Sequence, residues 1–307
     1  MRHQRGVAAI TALLIVAIAA STATFMLAQH SAMLDQTALV AARAQAELYA
    51  DAGLDWARGV LAEDARRAGT VDSLGEGWAQ PIAGLPVERA VVAGLIDDEQ
   101  GKLNLNNLVI GGRSEWDLRM LQRLLRELDL APELAEAVLD WIDADQDVTG
   151  SGGAENAFYL SLKRPYRAAN QLLVQVDELH RVRGFDAATV AKVRPHVTTL
   201  PVRTTININT ASAALLAAAF DGKVPREELE ARLAGRRTKP FQSTNEIGQW
   251  ATKADPRVTG SDLGVRSDFF AVRVQVAQDD VVVGTEALVQ RAAQSGTSTM
   301  LWRRALY

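Results

Sequence analysis

No cysteine occurs among the 307 residues. Thiol nucleophiles, Cys-ligated zinc, iron–sulfur clusters and disulfide scaffolding are therefore excluded. Export is not excluded with them, because a chain of this length that is 48% hydrophobic buries a real core without covalent staples. Histidine is scarce, and His3, His30, His180 and His196 are scattered. No His-Glu-x-x-His or Gly-x-Ser-x-Gly occurs; Gly94 and Gly101-Lys102 are too far apart for a phosphate loop, and Leu103 stands where that loop needs Ser or Thr. The chain does not read as an enzyme. It also lacks an excess of positive charge: 33 basic and 37 acidic residues leave a formal charge of −4, so no nucleic-acid partner is expected. Of the bases only 6 are Lys and 27 are Arg, which reflects genome composition first.

Charge is missing altogether between Arg5 and Asp35. Val7–Leu27 is 21 mostly apolar residues, about 31 Å as a helix, which is long enough to span a bilayer. Arg2 and Arg5 precede it, so the short N-terminus should stay cytoplasmic and the rest be exported. A secretory signal peptide cut near Ala17-Ile18-Ala19 is one reading. Beyond the apolar run, however, Gln29 to Ala65 has no Pro, only Gly53 and Gly59, and an abundance of Ala, Leu, Gln, Glu and Arg. Leu39, Ala42, Ala46, Tyr49, Gly53 and Trp56 recur near the spacing of an amphipathic face. The spacing predicts one unbroken helix of about 90 Å. Such a stalk has no place behind a signal peptide, but it suits a filament subunit.

A basic leader ending in Gly6, followed by Val7-Ala8-Ala9-Ile10-Thr11 at the head of a long apolar helix, resembles the type IV prepilin class. The resemblance implies cleavage after Gly6 by a prepilin peptidase and methylation at Val7, which would leave the mature chain two charges more negative. Most such subunits carry Glu where this chain has Thr11. In the class that Glu neutralises a neighbour's amino group, and an unpaired carboxylate in hydrocarbon is costly. Thr11 therefore marks a tip subunit. The runs GKLNLNNL (101–108), WIDADQD (141–147), PYRAAN (165–170) and TININTA (205–211) are, in that order, similar to the type II secretion minor pseudopilin K family. That likeness implies a single-pass inner-membrane protein with its C-terminal domain in the periplasm. It also implies a complex with other minor pseudopilins of the I and J type, formed through the N-terminal helix and the pilin domain. The complex would start the pseudopilus and support protein export across the outer membrane.

The expected fold is α+β: a pilin-like long N-terminal helix plus a small antiparallel sheet, with a large inserted all-α domain. Residues 1–6 are the leader and 7–66 the helix. Glycines and prolines over 66–86 read as the loop leaving the stalk, and Val87–Leu95 and Gly101–Val109 as strands of a first β segment over 67–111. Helical spacing fills 112–203, opened by a capping box at Ser114-x-x-Asp117 and continuing through a second helix from Pro132 and further signal over Ala168–Val176, Val176–Val182 and Ala187–Val193. A second helical segment over 204–258 follows, with helices at Ser212–Ala219, Arg226–Ala234 and Thr244–Gln249. Residues 259–307 complete the sheet, Phe269–Val276 and Val281–Val289 forming a hairpin about Asp279-Asp280 before a last strand near Thr299–Leu306.

Asp140, Asp143, Asp145 and Asp147, followed by Gly150, Gly152, Gly153 and Glu155, form the sharpest constellation. Clustered carboxylates repel one another unless solvated or neutralised, and a Gly-rich loop lets backbone wrap an ion of the calcium type. Val148 and Ala154 stand where an EF-hand needs Gly and Glu, so that loop type is rejected. The residues alone leave a calcium loop and a solvated acidic turn open. The pseudopilin resemblance implies a structural calcium ion, with Asp143, Asp145, Asp147 and Glu155 as first ligands and Asp140 as a weaker one. Arg167 and Asn170 are read as fixing the neighbouring loop. Asn207-x-Asn209-Thr210-Ala211 with Arg236-Arg237 and Pro240-Phe241 is similar to helix–hairpin–helix modules of membrane-tethered competence DNA receptors, the alternative reading. Its hairpin, Phe220-Asp221-Gly222-Lys223, has one Gly and an Asp that repels phosphate, which favours a packing remnant over DNA binding.

Overall fold

A computed structural model describes residues 4–67, 71–220, 224, 226–246, 262–292 and 297–306. Helix α1 (Gln4–Arg67) runs without a break and closes on Arg66 and Arg67, both ion-paired to Glu63 and favourably placed against the helix dipole. Its first half is bare. From Ala42 onward one side is buried, through Ala46, Ala50, Leu54, Ala57 and Leu61. Leu39 and Trp56, expected on that face, point outward instead. The buried stripe is built from small side chains because the helix lies close to a sheet: a Cβ at Gly53 would stand 2.9 Å from Val274 Cγ1.

The chain after α1 forms β1 (Ile82–Val87) and β2 (Ala90–Asp98). A helical body then follows: β3 (Leu103–Asn104), α2 (Glu115–Glu127), α3 (Leu134–Ile142), α4 (Asn156–Leu160), α5 (Ala187–Val193), β4 (Val197–Thr198), β5 (Ile206–Asn207), α6 (Ala213–Ala219), α7 (Arg226–Ala234) and β6 (Leu263–Gly264). Three long strands close the chain: β7 (Phe269–Gln278), β8 (Val281–Arg291) and β9 (Ser298–Leu306). The main sheet has the order β1-β2-β7-β8-β9 and is antiparallel throughout. Asp98 of β2 faces Phe270 of β7, so the whole helical body is spliced between two hydrogen-bonded neighbours. The architecture is the expected α+β arrangement.

Several local expectations change. β1 lies within the stretch read as a loop except for Val87, which is expected to open the next strand and instead ends β1; Pro86 is tolerated because β1 is an edge strand, where a missing N–H breaks no ladder. The strand expected over Gly101–Val109 is two 3₁₀ turns around the short β3, and Leu103, Leu105 and Leu108 belong to the core of the helical body. The helical signal over Ala168–Val176 yields no helix, because other groups take its backbone: Ala168 N donates to Asn156 Oδ1 (3.0 Å) and Leu173 N to Asn106 Oδ1 (2.9 Å). Ser114 caps α2, accepting from Asp117 N, but Asp117 turns to Arg203 (2.8 Å) rather than completing the box. Part of Thr244–Gln249 lies outside the described residues.

The two Leu/Ile-Asn runs do equivalent work. Leu103 and Asn104 pair in parallel with Val197 and Thr198, and Ile206 and Asn207 with Leu263 and Gly264. The asparagines at 104, 106, 107, 207 and 209 are all buried and bridge backbone at the two ends of each module. Asn104 Oδ1 accepts from Leu200 N (3.0 Å), and Asn209 exchanges two bonds with the backbone of Phe241. Below them sits a charged junction. Arg291 of β8 is buried, pairs with Asp64 of α1 (2.6 Å) and Asp72 (2.5 Å), donates to Ser267 O and lies over the Phe270 ring. One guanidinium thus ties the end of α1, the following loop and the sheet together.

Candidate functional site: the apolar helix and the acidic loop

Gly6 and Val7 lie in the first turns of α1, and among the described residues this is the helix long and apolar enough to cross a membrane. None of its apolar window is buried by the rest of the chain. Thr11 donates its hydroxyl to Val7 O at 3.1 Å, and Ser21, Thr22, Thr24 and Thr37 do the same to the carbonyls four residues before them. The helix thereby satisfies these hydroxyls itself, which keeps the segment compatible with hydrocarbon. At position 11 the helix thus carries a polar group whose hydroxyl it bonds itself.

The acidic loop leaves the C-terminus of α3 and ends at the start of α4. Asp140, on the last turn of α3, is fully buried, and Glu155, just before α4, is 2% exposed. With the half-buried Asp143 they form a group whose carboxylate oxygens lie within 4.8 Å of one another. Glycines make this approach possible: Gly150 has φ +55°, and at Gly153 a side chain would strike the Asp140 carboxylate and the carbonyl of Thr149. Asp140 accepts from Thr149 N at 3.2 and 3.1 Å. The others are poorly served. Asp143 Oδ1 and both carboxylate oxygens of Glu155 are buried and find no hydrogen-bond donor among the described residues, and Asn170 Oδ1 beside them is in the same state. Two arginines nearby bond elsewhere: Arg183 donates to Gly153 O (2.8 Å), and Arg113, whose charge reaches Asp140 and Asp143, is held by Glu115 (3.1 Å) and Thr149 Oγ1 (3.2 Å).

The electrostatics follow from that geometry. Burial, then the charges of Asp140, Asp143 and Asp145, push the Glu155 carboxyl up to about 7. Burial, then Asp145 and Asp140, push Asp143 up to about 6, and burial raises Asp140. Of the five predicted ligands the structure gathers Asp140, Asp143 and Glu155. Asp145 and Asp147 stay on the surface, where Asp145 Oδ1 accepts from Asp147 N (2.9 Å). Asp140, ranked last from the sequence, is the deepest of the five. Asn170 bridges the loop, from its N to Trp141 O (3.0 Å) and from Nδ2 to Asp145 O (3.3 Å), as expected of a positioning residue; Arg167 is exposed. Sequence reasoning missed Asn156, whose Nδ2 reaches Gln146 Oε1 (2.6 Å) and whose Oδ1 holds Ala168 N. A lone Asn behind Glu155 gave no periodic signal.

In the second module Arg236 donates to Ile208 O (3.0 Å), bonding within the fold. The hairpin residues Asp221-Gly222-Lys223 lie outside the described residues.

Comparison with known proteins finds a matching family. Residues 101–202 and 206–273 each match a family described as type II secretion system (T2SS), protein K. The chain is 31% identical to type II secretion system protein K of Aeromonas hydrophila, over 94% of both chains. It is 31% identical to the protein of the same description from Pseudomonas aeruginosa, over 91% of this chain and 86% of that one. Among solved structures it is similar to a chain in the GspK-GspI-GspJ complex from the type 2 secretion system of enterotoxigenic Escherichia coli, with a TM-score of 0.77 and 26% identity over 86% of this chain and 97% of the other.

Proposed function

This chain belongs to the type II secretion system protein K family, and we propose that it works as the minor pseudopilin at the tip of the pseudopilus, in a complex with partners of the GspI and GspJ kind. The observation that carries this reading is the splice: the helical body sits between β2 and β7 of a pilin-like sheet whose α1 is bare along its apolar half. A bare helix is completed by neighbours, and a body of that bulk is accommodated where nothing stacks above it. The self-satisfied Thr11 suits the same position. In this reading α1 is a single-pass inner-membrane anchor with the remaining domains in the periplasm, released by cleavage between Gly6 and Val7 and methylated at Val7. The role is assembly, not catalysis. Intact mass and N-terminal sequencing of the membrane-extracted protein should give a methylated chain starting at Val7; a start at Ala20 or at Met1 overturns the reading. Thr11→Glu should leave that processing intact and impair secretion.

The acidic loop takes a calcium ion in this reading. Its donors are oxygens only, which suits a hard cation of variable coordination, and the buried carboxylate oxygens without donors are what such an ion would satisfy. Asp140, Asp143 and Glu155 would hold it, with Asp145 and Asp147 adding negative charge at the surface. Bound calcium would supply positive charge that fixes the loop, while Thr149 N holds the Asp140 carboxylate and Asn170 holds the backbone of Trp141 and Asp145. Calorimetry on the chelated full-length chain in detergent should show saturable calcium binding that Glu155→Gln removes; no heat, and a melting temperature indifferent to calcium, overturns the assignment.

A further inference from the structure

Beside the acidic loop runs a basic one. Lys163, Arg164 and Arg167 lie on the exposed segment after α4, and Tyr166 among them donates its hydroxyl to the backbone carbonyl of Arg181 at 2.8 Å, which sets a fourth exposed basic residue beside this segment. All four basic side chains are exposed, and among the described residues none has an ion-pair or hydrogen-bond partner. The backbone beneath them is nonetheless well fixed. Asn156 holds Ala168 N with one end of its amide and Gln146 with the other, Asn170 bonds Trp141 O and Asp145 O, and Tyr166 rests against Tyr159 with ring centroids 5.3 Å apart. A chain of net charge −4 therefore presents unpaired cations on a pre-ordered surface.

We propose that Lys163, Arg164, Arg167 and Arg181, grouped around Tyr166, form a docking face for an acidic segment of another protein. Three of the four cations are arginines, whose planar forks pair bidentately with carboxylates, and Tyr with Arg is the side-chain combination that concentrates binding energy at protein interfaces. Leu160, 48% exposed at the end of α4, adds an apolar contact at the rim. A bilayer surface is a poorer fit, because the basic segment has no amphipathic helix to lay in an interface. Charge complementarity of this kind governs encounter and register. One feature rests on the calcium reading. Without the ion, the exposed charges of Asp145 and Asp147 on the adjoining loop repel an acidic partner; with it, that charge is offset and the partner is held more tightly.

Fluorescence anisotropy of a fluorescein-labelled poly-glutamate peptide, titrated with the full-length protein in neutral detergent with calcium or chelator, tests this. Binding should be salt-sensitive, tighter with calcium, and at least about tenfold weaker in the Arg164→Glu/Arg167→Glu double variant. That variant should keep the parental melting temperature and calcium heat, since neither side chain bonds the fold. Equal peptide affinity in parent and variant overturns the proposal, as does displacement of the peptide by soluble phosphatidylglycerol at lower concentration than by unlabelled peptide. Calorimetry on the same preparation judges the calcium reading separately: arginine-dependent peptide binding with no calcium heat upholds the face and overturns the ion.

Discussion

Two groups of three carboxylates converge below the surface among the described residues, and the fold treats them in opposite ways. Asp64, Asp72 and Glu76 converge at the foot of α1, and Asp140, Asp143 and Glu155 at the end of α3. In the first group the protein brings its own cation: Arg291 reaches Asp64 and Asp72 from β8, and Glu76 accepts from Trp78 Nε1 (2.8 Å). In the second, among the described residues, no side-chain cation pairs with the trio, Arg113 acting only from a distance, and three carboxylate oxygens are left without a donor. The difference teaches how to read a buried acidic cluster. Closeness of carboxylates is common to both; what separates a closed structural knot from an ion site is whether the opposite charge is part of the chain.

The largest break in that comparison is Arg291→Met. It keeps volume and apolar packing against Phe270 but strands two carboxylates, so stability should fall by about 3–5 kcal/mol, the usual penalty for halving a buried ion pair. Urea unfolding of the full-length chain measures it. The loss should not be recovered by calcium, because the helix and strand that meet at Arg291 are then untied. Recovery would mean that the two clusters are interchangeable and the distinction false.

A second test uses pH on Asp98, which adjoins the same knot. Burial, opposed by hydrogen bonds from Ser267, Thr210 and Gln100 N, raises its carboxyl to about 6. The sign follows from linkage. Below about pH 4 Asp98 is protonated in both states and costs nothing. Between about 4 and 6 the unfolded chain gives up its proton first, so stability falls as pH rises, and above that the full cost is in place. The fall attributable to Asp98 is about 3 kcal/mol. Because Asp98 lies outside the acidic loop, the same fall should persist in saturating calcium, and Asp98→Asn should flatten it whatever that variant does to stability at one pH. A slope that calcium abolishes would move its origin to the α3 cluster.

Much of this was legible in the sequence. The uncharged run from Gly6 to Leu34, the helix-forming stretch behind it and the alternation over 269–306 each carry a period that local chemistry enforces, and α1 and the β7–β8–β9 strands follow them. What was not legible is where distant side chains override local preference. Residues 168–176 have helical spacing, yet Asn156 and Asn106 take their backbone N–H groups from other segments. The acidic loop shows the same limit. Alternating Asp143, Asp145 and Asp147 favoured those three equally, but the turn at Asp145 directs two of them to solvent, while the helical position of Asp140 and the glycines at 150 and 153 bring Asp140 and Glu155 inside. Depth depends on the loop's path, and that path is set by contacts no short motif contains.

Calcium removal should have a somewhat smaller effect than either change at the knot. At a hundredfold excess over its dissociation constant the ion adds roughly 2–3 kcal/mol, so chelation should lower the melting temperature of the parent by several degrees. In chelator, Glu155→Gln should be at least as stable as the parent, since it removes a buried carboxylate that has no donor. That inverted sign has no counterpart at Arg291, where every loss of charge destabilises.

The smallest effect separates ligands from bystanders inside the acidic loop. Asp145→Asn with Asp147→Asn removes two surface charges and leaves Asp140, Asp143 and Glu155 in place. An exposed charge acts on a bound ion through solvent, at a cost of up to about 1 kcal/mol, so calcium affinity should fall by no more than about fivefold, and less at high salt. Glu155→Gln should instead remove binding at every ionic strength, because a buried donor atom is not replaced by screening. Calorimetric titrations of both variants at low and high salt make the contrast. If the surface pair costs as much as Glu155 and salt leaves that cost unchanged, Asp145 and Asp147 are direct ligands. The loop would then close over the ion, and the buried trio would be only half of the site.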